Sequence, residues 1–147
     1  MKEIIDILKS KQMTIGLAES MTGGFLASRF VEFKGVSEVF KGSMVCYDER
    51  VKINVLKVDK ETIDTYGVVS KEVAIEMSKK AKEMFQSDIG VSVTGYAESP
   101  SYAYISLYIN KKSYHHFINY QGLERKKAIE KVLDEIMTLL HKVLLSL

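Results

Sequence analysis

The apolar residues change spacing several times along the chain, and each change predicts a new element. Residues 1–11 carry isoleucine and leucine at helical spacing and predict an amphipathic helix that ends near Lys11. The apolar run Thr14–Ala18 predicts a short buried strand, and Phe25–Phe33 returns to helical spacing after a polar turn. The chain therefore opens as helix, strand, tight turn and helix.

The middle of the chain predicts one strand and three helices. Ser43–Tyr47 is typical of a strand, and Val51–Leu56 and Glu61–Tyr66 are typical of short helices. Ser70 is a good N-cap for a longer helix that follows. The inner stripe predicted for that helix is Val73, Met77, Ala81 and Met84.

The second half predicts a strand, a hairpin and a terminal helix. The strand is Ile89–Gly95, the hairpin pairs Tyr102–Ile109 with Ser113–Tyr120, and the helix covers Leu123–Leu147. Early alternation of strand and helix, followed by a hairpin, favours a mixed β-sheet between helical layers. We therefore expect one three-layer α/β/α domain over residues 1–147.

Composition narrows the class of protein. Apolar residues make up 46% of the 147 residues and proline occurs once, which excludes a disordered chain. The 21 basic residues nearly balance the 19 acidic ones, so charge gives no reason to expect nucleic-acid binding. A single cysteine, Cys46, favours a reducing compartment. Without a signal peptide or a run of roughly 20 apolar residues, we expect a cytoplasmic protein that does not enter membranes.

Polar clusters follow three of the predicted strands. They are Glu19–Gly24, Tyr47–Lys52 and Thr94–Gly95. Ligands of open α/β sheets bind beyond the carboxyl ends of strands, so these clusters are candidate site residues. The first cluster places hydroxyl groups beside two glycines, which let backbone N–H groups approach an anion closely.

Spacing alone leaves simpler interpretations open. Ser20 or Thr22 can be an ordinary N-cap, Lys52 a solvated surface lysine and Tyr47 a half-buried packing residue. No Walker loop is present, and the three histidines lack zinc-binding spacing, so no metal site is predicted.

The motifs nevertheless resemble one family closely. Ala18–Gly24, read as Ala-Glu-Ser-Met-Thr-Gly-Gly, is similar to the Ala-Glu-Ser-Cys-Thr-Gly-Gly signature of the CinA C-terminal domain. The likeness continues through Gly42–Tyr47, Tyr66–Ser70 and Asp88–Gly95 in the family's order. That family includes nicotinamide mononucleotide deamidases.

The resemblance implies an amidohydrolase that converts nicotinamide mononucleotide, a pyridine nucleotide, into nicotinate mononucleotide and ammonia. Ser20 matches the nucleophile, Lys52 is the expected base, and Tyr47 is expected to relay a proton or orient the lysine. This scheme requires no cofactor and no metal.

The resemblance also implies a set of substrate-binding residues. Backbone N–H groups of the glycine turn bind either the oxyanion or the substrate phosphate, Glu19 holds the turn, and Thr94 with Gly95 forms the floor of the pocket. The full set is Glu19, Thr22, Gly23, Gly24, Thr94, Gly95 and Arg125.

The chain departs from the family after Gly95. The segment Tyr96–Tyr104 is shorter than the family's glycine-rich loop, and Glu98-Ser99 replaces Gly-Pro. A glutamate there would repel a phosphate if it faced the pocket. The family has two arginines near its last helix, which are expected to bind the substrate phosphate. Arg125 takes the place of the first after a shift of one residue, and Ile129 stands in the place of the second. The alternative hypothesis is therefore a nucleotide-binding or regulatory module of the same fold with little or no turnover.

The hairpin carries many tyrosines, and the family commonly forms dimers. Aromatic residues are enriched in the cores of interfaces, although packing in the protein's own core explains at least half of such residues. We expect a symmetric homodimer. The tyrosines in question are Tyr102, Tyr104, Tyr108, Tyr114 and Tyr120.

Overall fold

The computed structural model describes all 147 residues. The helices are α1 (Lys2–Ser10), α2 (Phe25–Val31), α3 (Glu49–Asn54), α4 (Lys60–Tyr66), α5 (Lys71–Phe85) and α6 (Arg125–Leu145). The strands are β1 (Ile15–Glu19), β2 (Phe40–Val45), β3 (Ile89–Gly95), β4 (Tyr102–Ile109) and β5 (Lys112–Asn119). One 3₁₀ turn spans Val36–Glu38.

The five strands form one mixed sheet in the order β2-β1-β3-β4-β5. Strand β1 pairs in parallel with β2 on one side and with β3 on the other, whereas β4 and β5 add as an antiparallel hairpin. The carboxyl ends of β1, β2 and β3 therefore meet at one edge of the sheet. After β1 the chain forms β2 on one side of that strand and then crosses to form β3 on the other side. This edge of the sheet is therefore a topological switch point.

Helices cover both faces of the sheet. Helices α1, α2 and α6 bury residues such as Leu8 and Phe30 against one face. Helices α3, α4 and α5 bury residues such as Ile63 and Met77 against the other face. Burial of each such side chain stabilises the fold by about 1.5–3 kcal/mol. The predicted three-layer α/β/α fold with a mixed sheet is confirmed.

Strand β2 lies earlier in the chain than its apolar pattern predicted. The expected strand ran from Ser43 to Tyr47, but the ladder with β1 begins at Phe40 and ends at Val45. Phe40 stacks on Phe30 of α2 with ring centroids 5.4 Å apart, which anchors the start of the strand. Beyond β2, the chain leaves the ladder and turns into α3.

Helix α5 follows its prediction except at its last turn. The Ser70 hydroxyl accepts a hydrogen bond from the Val73 amide at 3.2 Å, which confirms the predicted N-cap. Met84 is exposed, so its place on the inner stripe was wrong. Phe85 lies four residues after Ala81, one helical turn further on, and packs against β1, where a Cβ at Gly16 would come within 2.8 Å of the ring.

Candidate active site

Ser20 lies in the turn that joins β1 to α2. Gly23 and Gly24 have φ angles of 58° and 98°, a left-handed conformation that glycine adopts without strain. The N-cap of α2 is Gly24, which has no side chain to accept a capping hydrogen bond. Neither Ser20 nor Thr22 is therefore the N-cap, and the simpler interpretation of these hydroxyl groups is wrong.

Glu19 holds this turn from behind. Its buried carboxylate accepts hydrogen bonds from Thr22 Oγ1 at 2.8 Å, from the Leu26 and Ala27 amides at 2.9 and 3.0 Å, and from Ser43 Oγ at 2.9 Å. Both Glu19 and Thr22 are fully buried. Their side chains fix the shape of the turn, which fits the expected role of Glu19.

Lys52 reaches the same turn from α3, which Asp48 caps. The Lys52 residue is only 2% exposed, so the surface-lysine interpretation is wrong. Its Nζ donates to Ser20 Oγ at 3.0 Å, to the Cys46 carbonyl at 2.7 Å and to the Tyr47 carbonyl at 3.4 Å. All three acceptors are uncharged, and none neutralises the ammonium group.

Burial lowers the pKa of Lys52 below its ordinary value, because desolvation disfavours the charged amine. The nearest charged groups, among them Asp48 and Glu49, oppose this shift but do not cancel it. Burial likewise raises the pKa of the Cys46 thiol, which leaves that cysteine protonated. Lys52 therefore loses its proton at a lower pH than a solvated lysine does.

A cavity of about 340 Å³ opens onto this pair at the carboxyl edge of the sheet. Of the predicted residues, the structure brings Ser20, Lys52, Tyr47, Thr94, Gly95 and Arg125 together in its wall. Gly23 and Gly24 shape the turn outside the lining. The volume lies near the small end of the roughly 300–1,000 Å³ range of small-molecule sites. The other lining residues are Met21, Glu49, Val68, Val69, Tyr96, Ala97, Glu98 and Ser99.

The end of β3 contributes Thr94 and Gly95 to the lining. Thr94 Oγ1 donates to the Val68 carbonyl at 2.8 Å, which ties β3 to the segment before α5. A Cβ at Gly95 would lie 2.6 Å from both Met21 Sδ and Ala103 Cβ. Glycine is therefore needed at this position for the turn after β1 to pack against β3.

Arg125, Tyr47 and Glu98 meet at the mouth of the cavity. Arg125 Nη1 donates to the Tyr47 hydroxyl at 3.4 Å, and Arg125 Nη2 lies 3.3 Å from Glu98 Oε1. The hydrogen bond to Tyr47 and the charge of Glu98 raise the pKa of Arg125 further. Tyr47 is 60% exposed, so it is not a half-buried packing residue. It contacts Lys52 through its backbone carbonyl and holds Arg125 through its hydroxyl.

Sequence reasoning missed the role of Tyr120 at this site. Tyr120 is buried rather than available for an interface, and its hydroxyl contacts Met21 Sδ at 3.2 Å and donates to the Tyr96 carbonyl. Burial raises the pKa of this phenol, so it stays protonated and can donate. No local signal identifies this role, because 99 residues separate Tyr120 from Met21.

Neither a metal-binding cluster nor a membrane-spanning helix is part of this structure. No group of three or more His, Cys, Asp or Glu side chains lies close enough together to hold a metal ion. None of the helices combines the length and the apolar character needed to cross a membrane.

The fold and the buried serine–lysine pair define a three-layer α/β/α protein with a small-molecule cavity at the carboxyl edge of its sheet. The chain belongs to the CinA C-terminal domain family, whose model matches residues 1–144. The resemblance noted from the Ala18–Gly24 motif is thereby confirmed.

Relatives agree with this assignment. A CinA-like protein of Dictyoglomus thermophilum is 43% identical over 114 residues, covering 72% of this chain and 28% of the relative. A CinA-like protein of Fervidobacterium nodosum is 47% identical over 94 residues, covering 64% of this chain and 23% of the relative. This chain therefore spans about a quarter of the length of these curated relatives.

A solved structure shows the same fold. The CinA superfamily protein of Klebsiella pneumoniae superposes with a TM-score of 0.93 at 20% identity, covering 98% of this chain and 94% of that one. Identity at this level supports a shared fold and nothing about the reaction.

Proposed function

We propose that this protein is an amidohydrolase that releases ammonia from the carboxamide of nicotinamide mononucleotide or of a close relative of that nucleotide. The observation that carries the proposal is the 3.0 Å hydrogen bond between Lys52 Nζ and Ser20 Oγ at the wall of a ligand-sized cavity. A serine beside a lysine with a lowered pKa supplies a nucleophile and its base.

In the first half of the reaction, neutral Lys52 accepts the Ser20 proton while Ser20 Oγ attacks the carboxamide carbon. The tetrahedral intermediate carries a negative oxygen, which needs hydrogen-bond donors. The backbone N–H groups of Met21 and Thr22 donate to no protein acceptor and are the nearest candidates along the chain. Collapse of the intermediate breaks the C–N bond, and Lys52 returns the proton to the leaving nitrogen, so that ammonia departs.

In the second half, water hydrolyses the ester that now joins the substrate to Ser20. Lys52 accepts a proton from this water, and the hydroxide attacks the ester carbonyl. The C–O bond to Ser20 breaks, and Lys52 returns the proton to Oγ. The product forms as a carboxylic acid, which releases its proton to solvent and leaves as the carboxylate, and the enzyme regains its starting protonation state. The carbonyl groups of Cys46 and Tyr47 keep the Lys52 amine directed toward Ser20 throughout.

One observation favours the alternative, a binding or regulatory module with little turnover. Glu98 pairs with Arg125 at the mouth of the cavity and occupies the guanidinium that is expected to hold the substrate phosphate. In that alternative the phosphate of a bound nucleotide lacks its anchor at Arg125, so the carboxamide is not held in place for attack by Ser20.

The direct test is to incubate the purified protein with nicotinamide mononucleotide and to measure ammonia together with nicotinate mononucleotide. The proposal expects equal amounts of both products, and none from Ser20→Ala. Binding of the nucleotide by calorimetry without either product would support the alternative instead.

A further inference from the structure

The charges that line the cavity do not suit an anionic ligand. The charged residues in its wall are Glu49, Lys52, Glu98 and Arg125. Lys52 must be neutral to act as a base in the proposed reaction. Two carboxylates then face one guanidinium, so the reactive state of the cavity carries a net negative charge.

The only guanidinium in this wall is already engaged. Arg125 Nη2 lies 3.3 Å and Nε 3.4 Å from the same oxygen, Glu98 Oε1, and Nη1 donates to the Tyr47 hydroxyl. A phosphate that approached Arg125 would have to displace this carboxylate and remain near it. Repulsion between the phosphate and the Glu98 carboxylate would strongly disfavour binding of such a ligand.

The same wall suits a cationic ring. Tyr47 and Tyr96 both line the cavity with exposed side chains, and aromatic faces attract organic cations. The nicotinamide ring of a pyridine nucleoside carries a positive charge at its glycosidic nitrogen. A ribosyl pyridinium without phosphate has a net charge of +1, whereas each phosphate monoester adds about −1.5 to −2 at pH 7.

Building on the proposed amidohydrolase function, we infer that Glu98 is a specificity-determining residue. It makes this site selective for pyridinium ribosides that carry no phosphate group. Glu98 neutralises the arginine that would otherwise bind a phosphate, and the pyridinium lies between acidic and aromatic side chains. The preferred substrate within the proposed reaction is therefore the nucleoside, with the mononucleotide as the poorer relative.

The test compares kcat/KM for nicotinamide riboside and for nicotinamide mononucleotide in the wild type and in Glu98→Gln. The wild type should prefer the riboside about 10-fold, a modest factor because Glu98 and Arg125 are partly solvated and screened. Glu98→Gln should lower this preference at least about 5-fold, mainly by improving turnover of the mononucleotide. Added salt should also narrow the preference of the wild type.

Glu124→Gln is the matched control. Glu124 precedes Arg125, is exposed, makes no capping hydrogen bond and does not line the cavity. This variant also removes one negative charge beside Arg125, but from outside the cavity, so the ratio of the two kcat/KM values should stay at the wild-type value. An equal response of both variants would mean that general charge, and not Glu98, sets the preference, which overturns the inference.

Calorimetry with both ligands separates the two proposals. Ammonia release with a preference for the mononucleotide that Glu98→Gln leaves unchanged overturns this inference and supports the proposed function. Tighter binding of the riboside without ammonia from either ligand supports the inference on specificity and overturns the proposed function. Failure to bind either ligand overturns both.

Discussion

Lys52 Nζ lies 3.0 Å from Ser20 Oγ, although 32 residues separate the two along the chain. The turn after β1 presents the serine, and the last turn of α3 presents the lysine. Two backbone carbonyls hold the amine on its other side, at Cys46 and Tyr47. Because burial disfavours the charged amine and no carboxylate pairs with it directly, the pKa of Lys52 lies below that of a solvated lysine.

Removing the Ser20 hydroxyl should abolish ammonia release while the fold persists. We expect Ser20→Ala to cost about 0.5–1.5 kcal/mol in the free energy of unfolding, because one hydrogen bond to Lys52 is lost while two others remain. Ammonia assays and urea denaturation measure the two effects. Ser28→Ala, an exposed serine on α2, is the control and should keep full activity. Full activity in Ser20→Ala would mean that the nucleophile lies elsewhere.

The pH dependence of turnover should report on Lys52. A protonated amine cannot accept the Ser20 proton, so activity should fall as pH falls through the folded-state pKa. Because burial lowers this pKa, the rise in activity should occur below the pKa of a solvated lysine, which is about 10.4, in the direction that burial of Lys52 gives. A pH–rate profile of kcat, limited to the pH range in which circular dichroism shows the fold intact, measures it.

Substitution separates a base from a simple positive charge at this position. Both Lys52→Ala and Lys52→Arg should lose about 10²–10⁴-fold in kcat, because guanidinium keeps its proton throughout this pH range. Circular dichroism checks that each variant is folded. Turnover near the wild-type rate in Lys52→Arg would reduce Lys52 to a charge contact with the substrate.

Tyr120→Phe should lower both kcat and stability, although Tyr120 does not line the cavity. Its hydroxyl joins the Tyr96 carbonyl to Met21, the residue next to Ser20, so its loss leaves a carbonyl without its donor. We expect a loss of about 1–3 kcal/mol in the free energy of unfolding and of about 10- to 100-fold in kcat, with a smaller change in KM. Tyr108→Phe is the matched control, since the Tyr108 ring packs under Lys79 on α5. Equal kinetic effects of the two variants would contradict a positioning role.

Assembly as a symmetric homodimer stays a prediction. Of the hairpin tyrosines, four are half-buried, and two of these, Tyr102 and Tyr104, contact Phe117, which is also exposed on the sheet. Light scattering at micromolar concentration should give twice the 16.7 kDa chain mass. Phe117→Lys should lower this mass, whereas Tyr66→Lys, on the exposed surface of α4, should not. A monomeric mass for the wild type would contradict the prediction.

Much of the fold followed from local pattern. Helix α5 and strand β4 match their predictions closely. An N-cap serine and a run of apolar residues determine the structure of the few residues next to them, so their effect can be predicted from local sequence. The start of β2 did not follow, since stacking of Phe40 on Phe30 is a contact between two elements.

The sequence by itself determined the order of the elements, the three-layer class and the polar clusters at the strand ends, including Ser20 and Lys52. It left open whether Lys52 was buried or solvated. Only the tertiary structure decided that, and it also decided that Glu98 pairs with Arg125 and that Tyr120 reaches Met21. The physical reason is that burial and long-range hydrogen bonds depend on which strand ends and helices the topology brings together. The local spacing of residues in the sequence does not predict these contacts.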